Sequence, residues 1–286
     1  RPNLIRSTCA MMALATHPAI NRRWEITPMC FDHDSRPPIE PIPPIAGGAI
    51  DAERITLVSE DGTRVSAFRA RAAEPTGAGI VILPDVRGLV PYFEELASRF
   101  AERGVHALAI DYFARTAGLG PRPADFDFKS HVPQTRWPTL AMDIRTGIAQ
   151  LRSEDGGSAT SVFTTGFCMG GRLAFVSNTM GLGLAGVIGF YGWPVGASRD
   201  VPAPVDLVGE MSAPVLAIWG GADEGITPDI TAAFDRALEG AGVEHRSITY
   251  PGAPHSFFDR KAEEFAEASA GAWKETLAFI GANTGS

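Results

Sequence analysis

The sequence predicts an α/β protein, a mostly parallel central sheet flanked by helices on both faces, and three observations carry that expectation. Short apolar runs without alternation recur, as in Ala78-Gly-Ile-Val-Ile-Leu83 and Val105-His-Ala-Leu-Ala-Ile110, and mark strands buried on both faces. Stretches with apolar residues at helical spacing lie between them, such as Tyr92 to Arg103, with Phe93, Leu96, Phe100 and Ala101 on one stripe and Gly104 as the stop. The alternation continues to the last helix with no internal linker, so one domain over residues 50–280 accounts for it.

Taken in order, Ile55–Ser59 and Val65–Ala70 read as a hairpin closed by the turn dipeptide Asp61-Gly62. The buried strand Ala78–Leu83, the helix Tyr92–Arg103 and the strand Val105–Ile110 follow. Residues 111–138 hold Gly118, Gly120, Pro121, Pro123, Pro133 and Pro138, and so long a polar segment inside a compact domain is a candidate lid or binding loop. Helix Leu140–Leu151, strand Ser161–Thr165, helix Gly171–Asn178 and strands Leu184–Tyr191 and Pro214–Trp219 come next. Helix Pro228–Leu238, strand His245–Tyr250 and helix Glu263–Ile280 complete the domain, and Gly281–Ser286 is expected to be a frayed tail.

Ahead of the domain, residues 1–28 read as a leader or an over-called start, disordered and outside the fold. Arg1 and Arg6 before the apolar Cys9–Ala15 imitate a signal peptide, but that core is too short and Arg22-Arg23 follows it. Residues 29–49 form an extended arm, because the prolines from Pro37 to Pro44 exclude helix and central strand alike.

Composition bounds the partners. With 45% hydrophobic residues the chain can bury a large core, and a net charge of −8 with no basic run disfavours nucleic acid and anionic membranes. No apolar run is long enough to span a bilayer. Three widely spaced cysteines, Cys9, Cys30 and Cys168, suit neither a disulfide framework nor paired zinc ligands. The expectation is a cytoplasmic protein acting on a small molecule, as a monomer or small homo-oligomer. No metal-ligand spacing and no phosphate loop after a strand is present, so neither metal nor cofactor is expected.

The sharpest chemical signal is Gly166-Phe-Cys168-Met-Gly170-Gly171, between a strand and a helix. A nucleophile on so tight a turn needs small residues two positions to either side. The following helix points its N-terminus at the sulfur, and the Met169 N–H is placed to stabilise an oxyanion. An acid and a histidine are expected downstream in that order. Asp223, in Gly220-Gly-Ala-Asp223 at a carboxyl strand end, is the candidate acid, and His255, in Pro251-Gly-Ala-Pro-His255 after the next strand, the candidate base. His17, His33, His106, His131 and His245 have no comparable context.

These motifs, with Asp85-Val-Arg-Gly88, Asp111-Tyr-Phe-Ala-Arg115 and Tyr250-Pro-Gly-Ala-Pro-His255-Ser-Phe257, give the chain a specific resemblance to the dienelactone hydrolase family of α/β-hydrolases, over roughly residues 50–280. The arm from Met29 to Pro38 resembles the start of many bacterial members, which points to Met29 as the natural beginning. The resemblance implies the α/β-hydrolase fold and a Cys168–Asp223–His255 triad, with Met169 and Val86 N–H groups as the oxyanion hole. Asp85 takes the place of an acid that holds the resting thiol. Arg115 takes the place of an arginine that grips a substrate carboxylate, and Arg87, Tyr112 and Trp193 are further candidates for substrate contact. Where the family carries a second arginine this sequence has Asp259, with Arg260 one step later, and an acidic side chain there is expected to weaken binding of an anion.

The implied activity is hydrolysis of an ester or lactone, carboxymethylenebutenolidase-like, as in aromatic degradation. Two alternatives stand beside it: a broader carboxylesterase or thioesterase with the same triad, and a non-catalytic ligand-binding protein on the same fold.

Overall fold

In the computed structural model, the described residues are 36–37, 51–123, 125–196, 198 and 200–285. The leader, and the arm apart from Arg36 and Pro37, lie outside them. Eight strands form one sheet in the order β1-β2-β4-β3-β5-β6-β7-β8. They are β1 (Asp51–Val58), β2 (Arg64–Arg71), β3 (Ala78–Leu83), β4 (His106–Ile110), β5 (Ser161–Phe167), β6 (Gly186–Phe190), β7 (Val215–Gly220) and β8 (His245–Tyr250). β2 pairs antiparallel with both β1 and β4, and all remaining pairs are parallel. This is the α/β-hydrolase fold, with the expected hairpin at the start.

The unalternating runs behave as their composition requires. Every residue of β3, β4, β5, β6 and β7 is buried, because helices cover the sheet. The long helices are α1 (Pro91–Ala101), α4 (Trp137–Arg152), α5 (Met169–Ser177), α6 (Pro228–Gly240) and α7 (Ala266–Asn283). Proline in the first turn fixes the starts of α1, α4 and α6, where its missing N–H has no intrahelical partner to lose. Two expectations shift at the C-terminus. α7 begins at Ala266 rather than Glu263 and runs to Asn283, so 281–283 are helical, and Gly285 N–H donates to Ser161 Oγ at 3.0 Å.

The segment 111–138 is not the open loop its composition suggests. It contains the short helices α2 (Ala114–Ala117) and α3 (Phe128–His131) and a 3₁₀ turn at Val132–Gln134. Arg122 donates to both oxygens of buried Asp111 and lies 5.0 Å over the Phe126 ring. Phe126 in turn stacks on His131 with centroids 5.0 Å apart. Ion pairs and aromatic contacts thus give this polar segment a fixed path that hydrophobic periodicity does not record.

Candidate active site

β5 ends at Phe167 and α5 begins at Met169, leaving Cys168 alone to turn the chain, with φ +55° and ψ −112°. A side chain adopts that backbone only where its surroundings over-determine it. Here backbone packs against backbone. A Cβ on Gly166 would lie 2.0 Å from Gly170 O, and one on Gly170 would lie 1.9 Å from Leu83 O and 2.3 Å from Pro84 O. The two glycines are therefore steric requirements of the turn, as the spacing predicts. The same closeness sets the start of α5 against the segment leaving β3, which carries Asp85, Val86 and Arg87. Cys168 N–H donates to Phe190 O at 3.0 Å, tying the turn to β6.

β7 and β8, adjacent in the sheet, deliver the other two candidates. His255 Nδ1 lies 2.6 Å from Asp223 Oδ2, while Asp223 Oδ1 accepts the N–H groups of Gly225 (2.9 Å) and Ile226 (3.0 Å). Both oxygens of this buried carboxylate are therefore engaged. Burial raises the Asp223 pKa, but the hydrogen bond and charge of His255, with the two amides, outweigh it and hold the carboxyl below its ordinary value. For His255 burial acts downward, and is overcome by the Cys168 charge and by hydrogen bonds to Asp223 and Cys168, so the imidazole is pushed up to about 10. Cys168, Asp223 and His255 thus meet at the carboxyl edge of the sheet, and the His255 side chain keeps 20% exposure.

The remaining candidates part company. Tyr112 is buried and donates to Pro84 O at 2.8 Å; burial first, then Asp85, Asp111 and Cys168, raise its pKa well above the phenolic value. Trp193 packs on the acid-bearing turn, its ring 3.0 Å from where a Gly225 Cβ would stand. The Trp193 segment is held from α5 by Arg172, which donates to the carbonyls of Trp193, Val195, Gly196, Val201 and Pro202. Arg115 does not join the site. All its guanidinium nitrogens are spent on Asp143, Asp61, Thr63 and Ser59, which fasten the β1–β2 turn to α4. Its place in the sequence motif gave no sign of acidic partners brought in from two other elements.

Asp85, Arg87, Asp259 and Arg260 form one buried cluster. Asp85 accepts from the Arg87 N–H (2.8 Å), Arg87 Nε (2.9 Å) and Arg260 Nε (2.8 Å), so its carboxylate is taken by two arginines rather than by the thiol. Burial pushes Asp85 up, yet Arg260 and Arg87 prevail and hold it well below the carboxylate range. Asp259, fully buried, accepts from Tyr191 Oη at 2.5 Å and faces Arg87 Nη2 at 3.4 Å. Burial and the charge of Asp85 push it up to about 6 against the pull of both arginines. The free anion expected at position 259 is therefore an internally balanced charge. Tyr191 did not stand out in the sequence; its only signal is its place just past the carboxyl end of a buried strand.

Among the described residues, no helix is long and apolar enough to cross a membrane.

The comparisons agree with this architecture. A Salmonella typhimurium protein provisionally named carboxymethylenebutenolidase is 28% identical over 246 residues, covering 82% of this chain and 88% of its own. A similarly named protein of Methylorubrum extorquens is 28% identical over 240 residues, covering 80% of each. A Klebsiella pneumoniae crystal structure provisionally named a dienelactone hydrolase superposes with a TM-score of 0.72 at 28% identity, covering 82% of this chain and 99% of that one. A dienelactone hydrolase-like promiscuous phosphotriesterase from metagenomic libraries shares the fold, with a TM-score of 0.68 at 21% identity, covering 83% of this chain and 100% of that one. Since the dienelactone hydrolase family model matches residues 66–284, a span that includes the strained cysteine turn, the acid and the histidine, the chain belongs to the dienelactone hydrolase family.

Proposed function

We propose that the protein hydrolyses carboxylic esters or lactones by covalent catalysis, with Cys168 as nucleophile, His255 as acid and base, and Asp223 holding the imidazole. The observation that carries this reading is His255 joined to both Asp223 and Cys168, which sits on a strained strand-to-helix turn. The thiolate attacks the carbonyl carbon, and its electron pair forms the C–S bond while the carbonyl pair moves onto oxygen. That oxyanion accepts from the Met169 and Val86 N–H groups, which the packing of Gly170 against Leu83 and Pro84 supports. The oxyanion pair then re-forms the carbonyl, the C–O bond to the alcohol portion breaks, and His255 gives its proton to the leaving alkoxide, leaving a thioester on Cys168. A water then attacks, His255 takes its proton, and the C–S bond breaks to release the acid and regenerate the thiolate.

The substrate reading differs from that of an enzyme built to grip anions. Arg115, Arg87 and Arg260, the arginines that the motifs supply, each face carboxylates of the protein itself. This favours an uncharged ester or lactone and the broader carboxylesterase reading over dienelactone. The experiment is hydrolysis of 4-nitrophenyl acetate by wild type and Cys168→Ala, with mass spectrometry of the quenched reaction. Turnover lost in the variant, and an acetyl adduct on Cys168 in the wild type, are expected. Undiminished turnover by a folded Cys168→Ala would sink the proposal.

A further inference from the structure

We propose that Asp259 and Tyr191 are positioning residues that fix the His255 imidazole and tie the histidine loop to the segment bearing Val86. The inference rests on the reading of Cys168 and His255 as reacting groups.

Tyr191 stands one residue past β6 with φ +38°, a strained value for a side-chain-bearing residue, and its N–H donates to Ile218 O at 2.7 Å. That backbone aims the fully buried phenol at the histidine loop. The ring centroid lies 4.9 Å from that of His255 at an interplanar angle of 53°, and 5.8 Å from that of Phe257. The ring is therefore a wall against which the imidazole rests, a contact additional to its hydrogen bond with Asp223.

The wall is held at its far end by Asp259 Oδ1, 2.5 Å from Tyr191 Oη. Oδ2 of the same carboxylate faces Arg87 Nη2 at 3.4 Å and Arg260 Nε at 3.7 Å. Arg87 also binds Asp85, and it follows Val86 directly in the chain. One buried carboxylate thus bridges the ring that supports the base and the segment that carries a proposed oxyanion donor. A carboxylate with no exposure is a costly way to fill a core, and an apolar residue of similar volume would serve packing as well. Its presence in the histidine loop is accounted for by placement of the reacting groups.

The groups facing Asp259 are Asp85 and Arg87 from the segment after β3, Tyr92 from α1, Tyr191 from the end of β6, and Arg260 from its own loop. Two carboxylates and two arginines balance when both acids are ionised. Protonation of Asp259, pushed up to about 6, leaves one arginine in excess and weakens the charge-assisted bond from Tyr191. The cluster therefore loosens its hold as pH falls through that value.

The test measures kcat and KM for 4-nitrophenyl acetate from pH 5 to 10, and thiolate absorbance near 240 nm, in wild type, Tyr191→Phe and Asp259→Asn. Tyr191→Phe keeps every charge and the ring, and removes only the hydroxyl. It is expected to fold with wild-type circular dichroism, to lose about tenfold in kcat with KM changed by less than about twofold, and to shift the thiolate titration. Asp259→Asn is expected to lose as much in kcat and to displace the acid limb of kcat/KM. A folded Tyr191→Phe with wild-type kcat and an unmoved thiolate titration overturns the proposal, whether or not Asp259→Asn folds. Failure of the nucleophile reading is separate, since it shows as activity surviving in Cys168→Ala.

Discussion

Asp223 spends one oxygen on His255 Nδ1, at 2.6 Å, and the other on the amides of Gly225 and Ile226, so the acid is held by its own turn before it holds the base. Asp223→Asn keeps the volume but offers an amide in place of a charge. A fall in kcat of at least about 100-fold is expected, between the loss of one positioned donor and that of a triad member, with the fold retained by circular dichroism. A loss of only a few-fold would remove Asp223 from the mechanism.

Strain at Cys168, the proposed nucleophile, is testable apart from chemistry. Cys168 has φ +55°, which glycine adopts without a Cβ penalty. Cys168→Gly and Cys168→Ala both remove the thiol, but only the first relieves the backbone. Thermal unfolding should show the glycine variant more stable than the alanine one by about 1 kcal/mol, net of glycine's greater entropy when unfolded. Equal melting temperatures would mean that the turn stores no strain.

Gly170→Ala tests the packing that brings the β3 exit to the turn. Its Cβ would fall 1.9 Å from Leu83 O, and backbone cannot rotate away as a side chain can. A loss of more than about 3 kcal/mol is expected, read by urea denaturation, or failure to fold.

The pH dependence follows from His255, whose imidazole is raised from 6.5 to about 10 in the folded protein. A raised pKa stabilises the fold fully below the unfolded value and ceases to do so as pH rises through the folded one. Stability linked to His255 should therefore be present below about 6.5 and lost as pH climbs through about 10. Cys168→Ala removes the charge that most favours the imidazolium, so the histidine should titrate at lower pH in that variant. Melting temperature against pH, with imidazole NMR titration, reads both effects, and identical titrations in the two proteins would contradict the charge coupling.

Arg115→Ala should leave the ratio of kcat/KM between an anionic and a neutral ester unchanged, because its guanidinium is spent on Asp61 and Asp143. Stability should suffer instead, by about 3 kcal/mol, since Asp143 is left buried without its cationic partner. Selective loss of the anionic substrate would restore Arg115 to the site. Asp259→Arg, which the sequence suggests as a route to better anion binding, is expected to destabilise the fold by setting a third cation against Arg87 and Arg260.

The sequence by itself determined the parts of this protein whose physics is local. Apolar runs such as Ala78–Leu83 marked the buried strands, and Gly166 and Gly170 around Cys168 marked the tight strand-to-helix turn, because steric demand acts within a few residues. Asp223 and His255 were legible because each follows a parallel strand at the carboxyl edge where such residues gather. The tertiary structure decided which charges meet. Asp143 and Asp61 claim Arg115, Arg87 and Arg260 enclose Asp85, and Tyr191 finds Asp259 across the sheet edge. An ion pair leaves no period in a sequence and its partners come from distant elements, so a charged residue reads alike whether it greets a substrate or balances a buried neighbour. Only the folded arrangement separates these roles, since burial forces each charge to find its counterpart within the protein.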